Sequence, residues 1–533
     1  CKTTGAKMTD VPGHTLGIVP LLAEAGVRFL HIGVNAASTP PSVPPVFRWR
    51  ASGGEEVVVM YQNDYGKTYV PDGMSQGIAF AHAQDNVGPP GVAQTIEIYR
   101  QINEEYPGAN FRASTLTDYG DILWEHRQNF PIVEQEIGDT WIHGVGTAPQ
   151  KVSRFMSLRR LFEQWAQEDL SPRRTEMGRR LGMVAEHTWG VDCKTYLRNE
   201  EAWDRADFEK ARILDPRFKL SEHSWREQEA LVDEAISALD DVDRREAETE
   251  ARLPDVVETQ GPFERRSDVE LGQGRLSFDE HSGALTQIHF PNGGVVQGQG
   301  GELATLSYES YDARNMQAYM DGYLTLSVYW AVQDQGKPGL ERASTAVSDV
   351  FRPDWGGLAQ PVKGAVTSKF RYSAIAAEQL GAPKNVEIHY EFEGAGTLEV
   401  TVCFFEKPAN RMPEASFFSF TPAATPGDWR FRKLGYDIDP RNVIHNGNRQ
   451  LHAVELVTCG VGDEGSISIV PLDSPLVGPA EVPFMRFHQG DIAMKDGVRF
   501  CLHNNKWGTN FPMWQEGTMV FRFQISLVKS RES

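Results

Sequence analysis

Cysteine is scarce. Five occur in 533 residues, Cys1, Cys193, Cys403, Cys459 and Cys501, and no two stand in CxxC spacing. That excludes a small disulfide scaffold, a zinc knuckle and a redox pair, and the five read as free thiols. Basic residues are also short, since 53 Lys and Arg against 73 Asp and Glu leave a net charge of −20. Nucleic acid and an anionic membrane surface are thereby excluded as non-specific partners, because both are held by clustered Lys and Arg. No apolar run approaches the roughly 18 residues of a membrane helix. An Asn-x-Ser/Thr sequon and a signal-like opening are both missing, which favours a cytoplasmic protein. The chain begins at Cys1 and reaches an organised strand and turn within ten residues, so an upstream segment is expected to precede it.

What is present first is length, enough for two to four domains. From Lys2 to about Gly146 apolar runs at 26–34, 56–61, 78–82, 111–114 and 132–136 read as strands, several of them buried on both faces. Helix-like stretches at 17–26, 91–106 and 117–128 alternate with them, the last capped by Thr117. Such alternation implies a parallel sheet or barrel, assigned to a partial (β/α) barrel over 1–148. Residues 149–253 turn helical. Phe155, Leu158, Phe162 and Trp165 repeat at helical spacing, as do Leu231, Ala235, Leu239 and Val242, and both stripes read as the core of a helical bundle. Around Pro254–Gly274 the composition changes, and period-two runs such as 386–392, 397–405, 451–457 and 519–527 predict a β-sandwich over 254–533. The fold class is therefore multidomain, α/β plus all-β.

The stretch Met8-Thr9-Asp10-Val11-Pro12-Gly13-His14-Thr15 puts a carboxylate and an imidazole on either side of a Pro-Gly turn. An Asp there caps a turn or a helix, or stands at a strand exit where α/β enzymes keep their chemistry. Three polar clusters follow other strands: Gln62-Asn63-Asp64-Tyr65, His82-Ala83-Gln84-Asp85-Asn86, and Gly138-Asp139-Thr140-Trp141-Ile142-His143. Each alone reads equally as a hydrophilic loop; together they fit one active-site face. In Ala185-Glu186-His187-Thr188-Trp189-Gly190, His187 reads as a residue at a helix C-terminus or as a metal ligand. The clusters 442–452 and 502–514 concentrate Asn, His and Trp, suited to sugar contact or to hairpin turns.

TDVPGHT followed by PLLAEAGVRFLHIGVN resembles the nucleophile segment of the family 38 glycoside hydrolases, the α-mannosidases, and the order barrel, bundle, sandwich agrees with it. The resemblance implies a retaining, zinc-dependent glycosidase acting on an α-linked sugar. It makes Asp10 nucleophile and zinc ligand, Asp139 general acid/base, and His187 a further zinc ligand. His14, His82, Asp85, Asn86, Trp141, His143, Trp189 and Trp507 become sugar-contacting residues. The family's first ligand pair, His-x-Asp, occurs nowhere here, so those two ligands and the early barrel strands are expected upstream of Cys1. The alternative is an inactive carbohydrate-binding or structural remnant. The expected partner is a carbohydrate, with a homo-oligomer left open.

Overall fold

The computed structural model describes residues 3–11, 13–82, 87–138, 140–168, 170–360 and 364–528. Its first layer is a mixed sheet of β1 (Gly5–Asp10), β2 (Phe29–Val34), β3 (Val46–Arg50), β4 (Glu56–Gln62) and β5 (Ile132–Val133), ordered β1-β2-β4-β3-β5. β1, β2 and β4 are parallel, while β3 runs antiparallel to β4 and parallel to β5. Every residue of β2 is buried, which explains its unbroken FLHIGV run. α1 (Ile18–Glu24) joins β1 to β2, and α2 (Val92–Glu105) and α3 (Leu116–Glu125) follow β4. α3 packs closely on β1 and β2, because a Cβ at Gly120 would stand 2.5 Å from Cβ of Phe29.

Among the described residues this sheet is open and does not close into a barrel. The runs at 78–82 and 111–114 do not form strands: Ile78 makes one bridge, to Tyr69, and Arg112 to Ser114 are exposed. Neither has a neighbour on both sides to satisfy its backbone. β3 was missed because two arginines interrupt it, although Phe47 and Trp49 are fully buried. The cap of α3 is Thr115, whose hydroxyl accepts from Asp118 N at 3.1 Å, and not Thr117.

The helical region comprises α4 (Pro149–Glu168), α5 (Pro172–Val184), α6 (Cys193–Tyr196), α7 (Arg205–Leu214), α8 (Pro216–Ile236) and α9 (Asp241–Glu250). Leu158, Trp165, Leu181, Val232, Ala235 and Leu239 form its core. The second stripe is broken, since Asp240 caps a new helix and leaves Val242 exposed. From Asp268 onward two antiparallel sheets of ten and nine strands face each other across a core that includes the pairs Phe418–Phe523 and Phe500–Phe523, 5.3 and 5.0 Å apart. Four described cysteines, Cys193, Cys403, Cys459 and Cys501, are buried and free. No described helix is long and apolar enough to cross a membrane.

The first layer is fastened to the sandwich through Glu136, which is 1% exposed. Its backbone pairs with the 442–444 segment, with Asn442 O accepting at 3.1 Å and Ile444 N donating at 2.9 Å. Its carboxylate accepts from Leu16 N (2.7 Å), Thr15 Oγ1 (3.2 Å) and Lys433 Nζ (2.5 Å). Removing one partner of a buried pair strands the other, at a cost of about 3–5 kcal/mol. Glu136→Gln and Lys433→Met should each lower the unfolding free energy by about that amount. Denaturant unfolding of both and of the double variant checks this, and additive losses would contradict the pairing.

Candidate functional site

β1 delivers Asp10 to the end of the parallel strands, where the chain turns with Asp10 at a φ of +81°. Asp accepts this left-handed conformation better than most residues, because its short polar side chain bonds locally. The register β1-β2-β4 brings the exit of β4 nearby, and Tyr65, three residues beyond it, donates its hydroxyl to Asp10 Oδ1 at 2.9 Å. α5 ends at Val184, and the segment after it carries His187 to Asp10, with Nε2 to Oδ2 at 3.0 Å. The other ring nitrogen, Nδ1, lies 2.6 Å from Glu186 Oε1. Two carboxylates thus hold one imidazole.

The charge balance follows. The hydrogen bond to Asp10 raises the pKa of His187 above its ordinary 6.5, burial opposes the rise, and the charges of Glu186 and Asp10 add to it. Burial pushes Glu186 up, but its bonds from Thr188 and the charge of His187 bring it below the ordinary carboxylate value. Lys7 Nζ donates to Thr9 Oγ1 and to Tyr65 O, both at 2.8 Å, so a cation also braces the tyrosine. Opposite, Asp334 Oδ1 accepts from Lys194 Nζ at 2.7 Å and from Thr509 Oγ1 at 3.0 Å. The cleft has a volume of about 520 Å³ and is lined by Lys7, Asp10, Tyr65, His82, Trp141 and His187, with the Lys194–Asp334 pair on its far side.

The predicted residues fall into three groups. Asp10, His187, His82 and Trp141 line the cleft; the His82 ring contacts Gly66 O at 3.0 Å, and the Trp141 ring centroid lies 6.5 Å from that of His187. His14, His143, Trp189 and Trp507 are buried away from it. His143 donates to Thr140 O and meets Lys506 Nζ at 3.4 Å, and Trp507 packs on Trp141, Tyr319 and Tyr323. These two are core residues behind the wall, and so cannot touch a sugar in the cleft. Trp189 packs on Phe511 and donates to Glu186 O at 2.6 Å, and His14 is held against Gly13 O. Asp139, Asp85 and Asn86 lie outside the described residues. The 502–514 cluster divides: Asn505 serves the fold, its Nδ2 donating to Asn410 O, Met412 O and Met513 O, whereas Thr509, Asn510 and Phe511 line the cleft.

Tyr65 and Glu186 were not singled out by the sequence reading, although both lie inside stretches it drew attention to. The signal for Tyr65 was its place in the polar cluster after β4. Zinc sites take three or four protein ligands. Asp10 Oδ2 and His187 Nε2 supply two donors, and no group of three His, Cys, Asp or Glu able to hold a metal occurs among the described residues. The described residues alone do not make a zinc site.

Comparison with known proteins adds the following. A family described as "Domain of unknown function (DUF5054)" matches residues 145–400. No curated protein sequence matches. Among solved structures, an α-mannosidase from Enterococcus faecalis superposes over 99% of this chain and 74% of its own, at a TM-score of 0.52 and 8% identity. A 4-α-glucanotransferase from Thermococcus litoralis covers 97% of this chain and 81% of its own, with TM-score 0.25 and 10% identity. A putative aldose 1-epimerase from Escherichia coli covers 50% and 99%, with TM-score 0.26 and 10% identity. The first likeness shows a shared multidomain fold of the kind found in that α-mannosidase.

The Asp10–His187–Glu186 arrangement has a pH signature. Because His187 gains partners on folding, its contribution to stability is fully present below the ordinary 6.5 and is lost as pH rises through the raised value. Imidazole NMR titration should place His187 above 6.5 in the wild type and lower in Asp10→Asn. Titration at or below 6.5 in the wild type would contradict the ion pair.

Proposed function

We propose that this chain is a glycoside hydrolase of α-mannosidase type, acting on an α-linked sugar bound in the Asp10 cleft. The observation that carries the reading is the Asp10–His187 contact of 3.0 Å at the strand exits, in a chain with the fold of an α-mannosidase. A retaining glycosidase needs one carboxylate to attack the anomeric carbon and a second to protonate the leaving oxygen, about 5–5.5 Å apart.

Asp10 is the nucleophile in this proposal. Tyr65 and His187 hold its two oxygens separately, which fixes the carboxylate plane. Oδ1 or Oδ2 forms the bond to the anomeric carbon as the bond to the leaving oxygen breaks, and that oxygen takes its proton from Asp139. Asp139 then removes a proton from water, whose oxygen bonds to the anomeric carbon as the bond from that carbon to Asp10 breaks; the sugar is released, Asp10 returns to a carboxylate and Asp139 to its acid form. Trp141 and His82, which line the cleft, meet the ring face and its hydroxyls in this reading. Asp10 and His187 would supply two of the ligands of a zinc ion, the others coming from outside the described residues, and such an ion would orient the sugar hydroxyls.

The absence of a group of three metal donors among the described residues leaves a second reading, a carbohydrate-binding protein without turnover. Release of nitrophenol from 4-nitrophenyl α-mannopyranoside separates the two. Hydrolysis should fall to background in Asp10→Asn and by about 10²–10⁴-fold in Asp139→Asn. Equal rates in wild type and Asp10→Asn would overturn the glycosidase reading, while sugar binding without any hydrolysis would support the second.

A further inference from the structure

A second cavity, of about 470 Å³, lies across the strand that delivers Asp10. Lys7, Thr9 and Asp10 face the cleft, whereas Met8 and Val11 face this chamber; Trp141, Glu186, His187 and Phe511 are common to both. Its interior is mostly apolar, with Ile18, Val145, Val152, Phe155, Met156 and Trp189 among its walls. Small-molecule pockets span roughly 300–1,000 Å³.

The charges lining this chamber are matched, with one exception. Arg159 pairs with Glu455 at 3.0 Å, Lys433 with Glu136 at 2.5 Å, and Glu186 is engaged by His187 and Thr188. His14 and His452, whose Nε2 atoms have no partner, are buried with lowered pKa values, so their rings are neutral. Lys151 remains. It is 3% exposed, its Nζ has no hydrogen-bond partner among the described residues, and it stands 3.9 Å over the Trp189 ring. Glu229 from α8 and Glu186 act on it only through space, and burial lowers its pKa to about 7. A buried ammonium without a hydrogen-bonded counter-ion is strongly unfavourable, and the remaining carboxylate of the chamber wall, Glu455, is taken by Arg159.

We propose that this chamber binds an apolar carboxylate of the medium-chain fatty-acid class. Its carboxylate pairs with Lys151 Nζ, and its tail lies along Val152, Phe155, Met156 and Trp189. The hydrocarbon gains from leaving water, and the head group supplies the charge that the protein omits. The site shares a wall of Trp141, Glu186, His187 and Phe511 with the Asp10 cleft, but its ligand is held by Lys151 and the proposal does not depend on the glycosidase reading.

Isothermal titration of the full chain with octanoate, 1-octanol and octylammonium tests this. Octanoate should bind one to one and at least tenfold more tightly than octanol. Lys151→Met should reduce octanoate to the level of octanol, and Lys151→Arg should keep the preference, with thermal melts showing that the variants are folded. Should Lys151→Met not fold, the wild-type preference and its retention in Lys151→Arg still decide. No binding of octanoate, equal binding of octanoate and octanol, tighter binding of octylammonium, or an unchanged preference in folded Lys151→Met would each overturn the proposal.

Discussion

Glu136 is a carboxylate almost without solvent contact, and its hydrogen bonds run in two directions. One oxygen holds Leu16 N and Thr15 Oγ1, in the segment just after Asp10, and the other holds Lys433 of the sandwich. The turn that aims Asp10 is thereby referenced to the far domain and not to its own sheet alone. Gly138 extends the same junction: with φ at +71° its amide donates to His14 O at 3.3 Å, and a Cβ there would stand 2.6 Å from Asn448 N. Among the described residues the sheet is open, and this clamp holds β1 where barrel closure does not.

Given that anchorage, the cleft is an arrangement of paired charges. Asp10 is held through Tyr65 and His187, His187 through Glu186, and Tyr65 through Lys7. Each side chain is fixed by another whose own position is fixed, which keeps the Asp10 carboxylate in one orientation. β1 also separates two cavities of different chemistry, polar on the Asp10 side and apolar on the Met8 side. The period of two along a strand sets Lys7 and Thr9 on one face and Met8 on the other, and the turn at Asp10, with its φ of +81°, brings that carboxylate to the Lys7 side.

The sequence made the architecture legible where pattern alone decides it. The continuous apolar run of β2, the heptad-like stripe of α4 and the period-two runs of the sandwich all correspond to elements observed. It misled where pairing decides: 111–114 has strand-like composition but exposed residues, and Val46–Arg50 has charges that its buried Phe47 and Trp49 outweigh. The approach of Asp10 to His187, 177 positions apart, is not readable from spacing and was reached through a family resemblance. Trp507 and His143 show the limit of residue type as a guide, since both have sugar-binding chemistry and both are buried. Lys151 left no signal at all, because a lysine on a helix face reads as solvated until the fold is known.

The central claim is that the Asp10 cleft takes a sugar ring. A crystal structure of the full chain with 1-deoxymannojirimycin, a cationic mannose mimic, tests it most directly. The account predicts the ligand in the cleft, its ring nitrogen beside the Asp10 carboxylate and its face toward Trp141. Binding elsewhere on the molecule, or an empty cleft at saturating ligand, would contradict it.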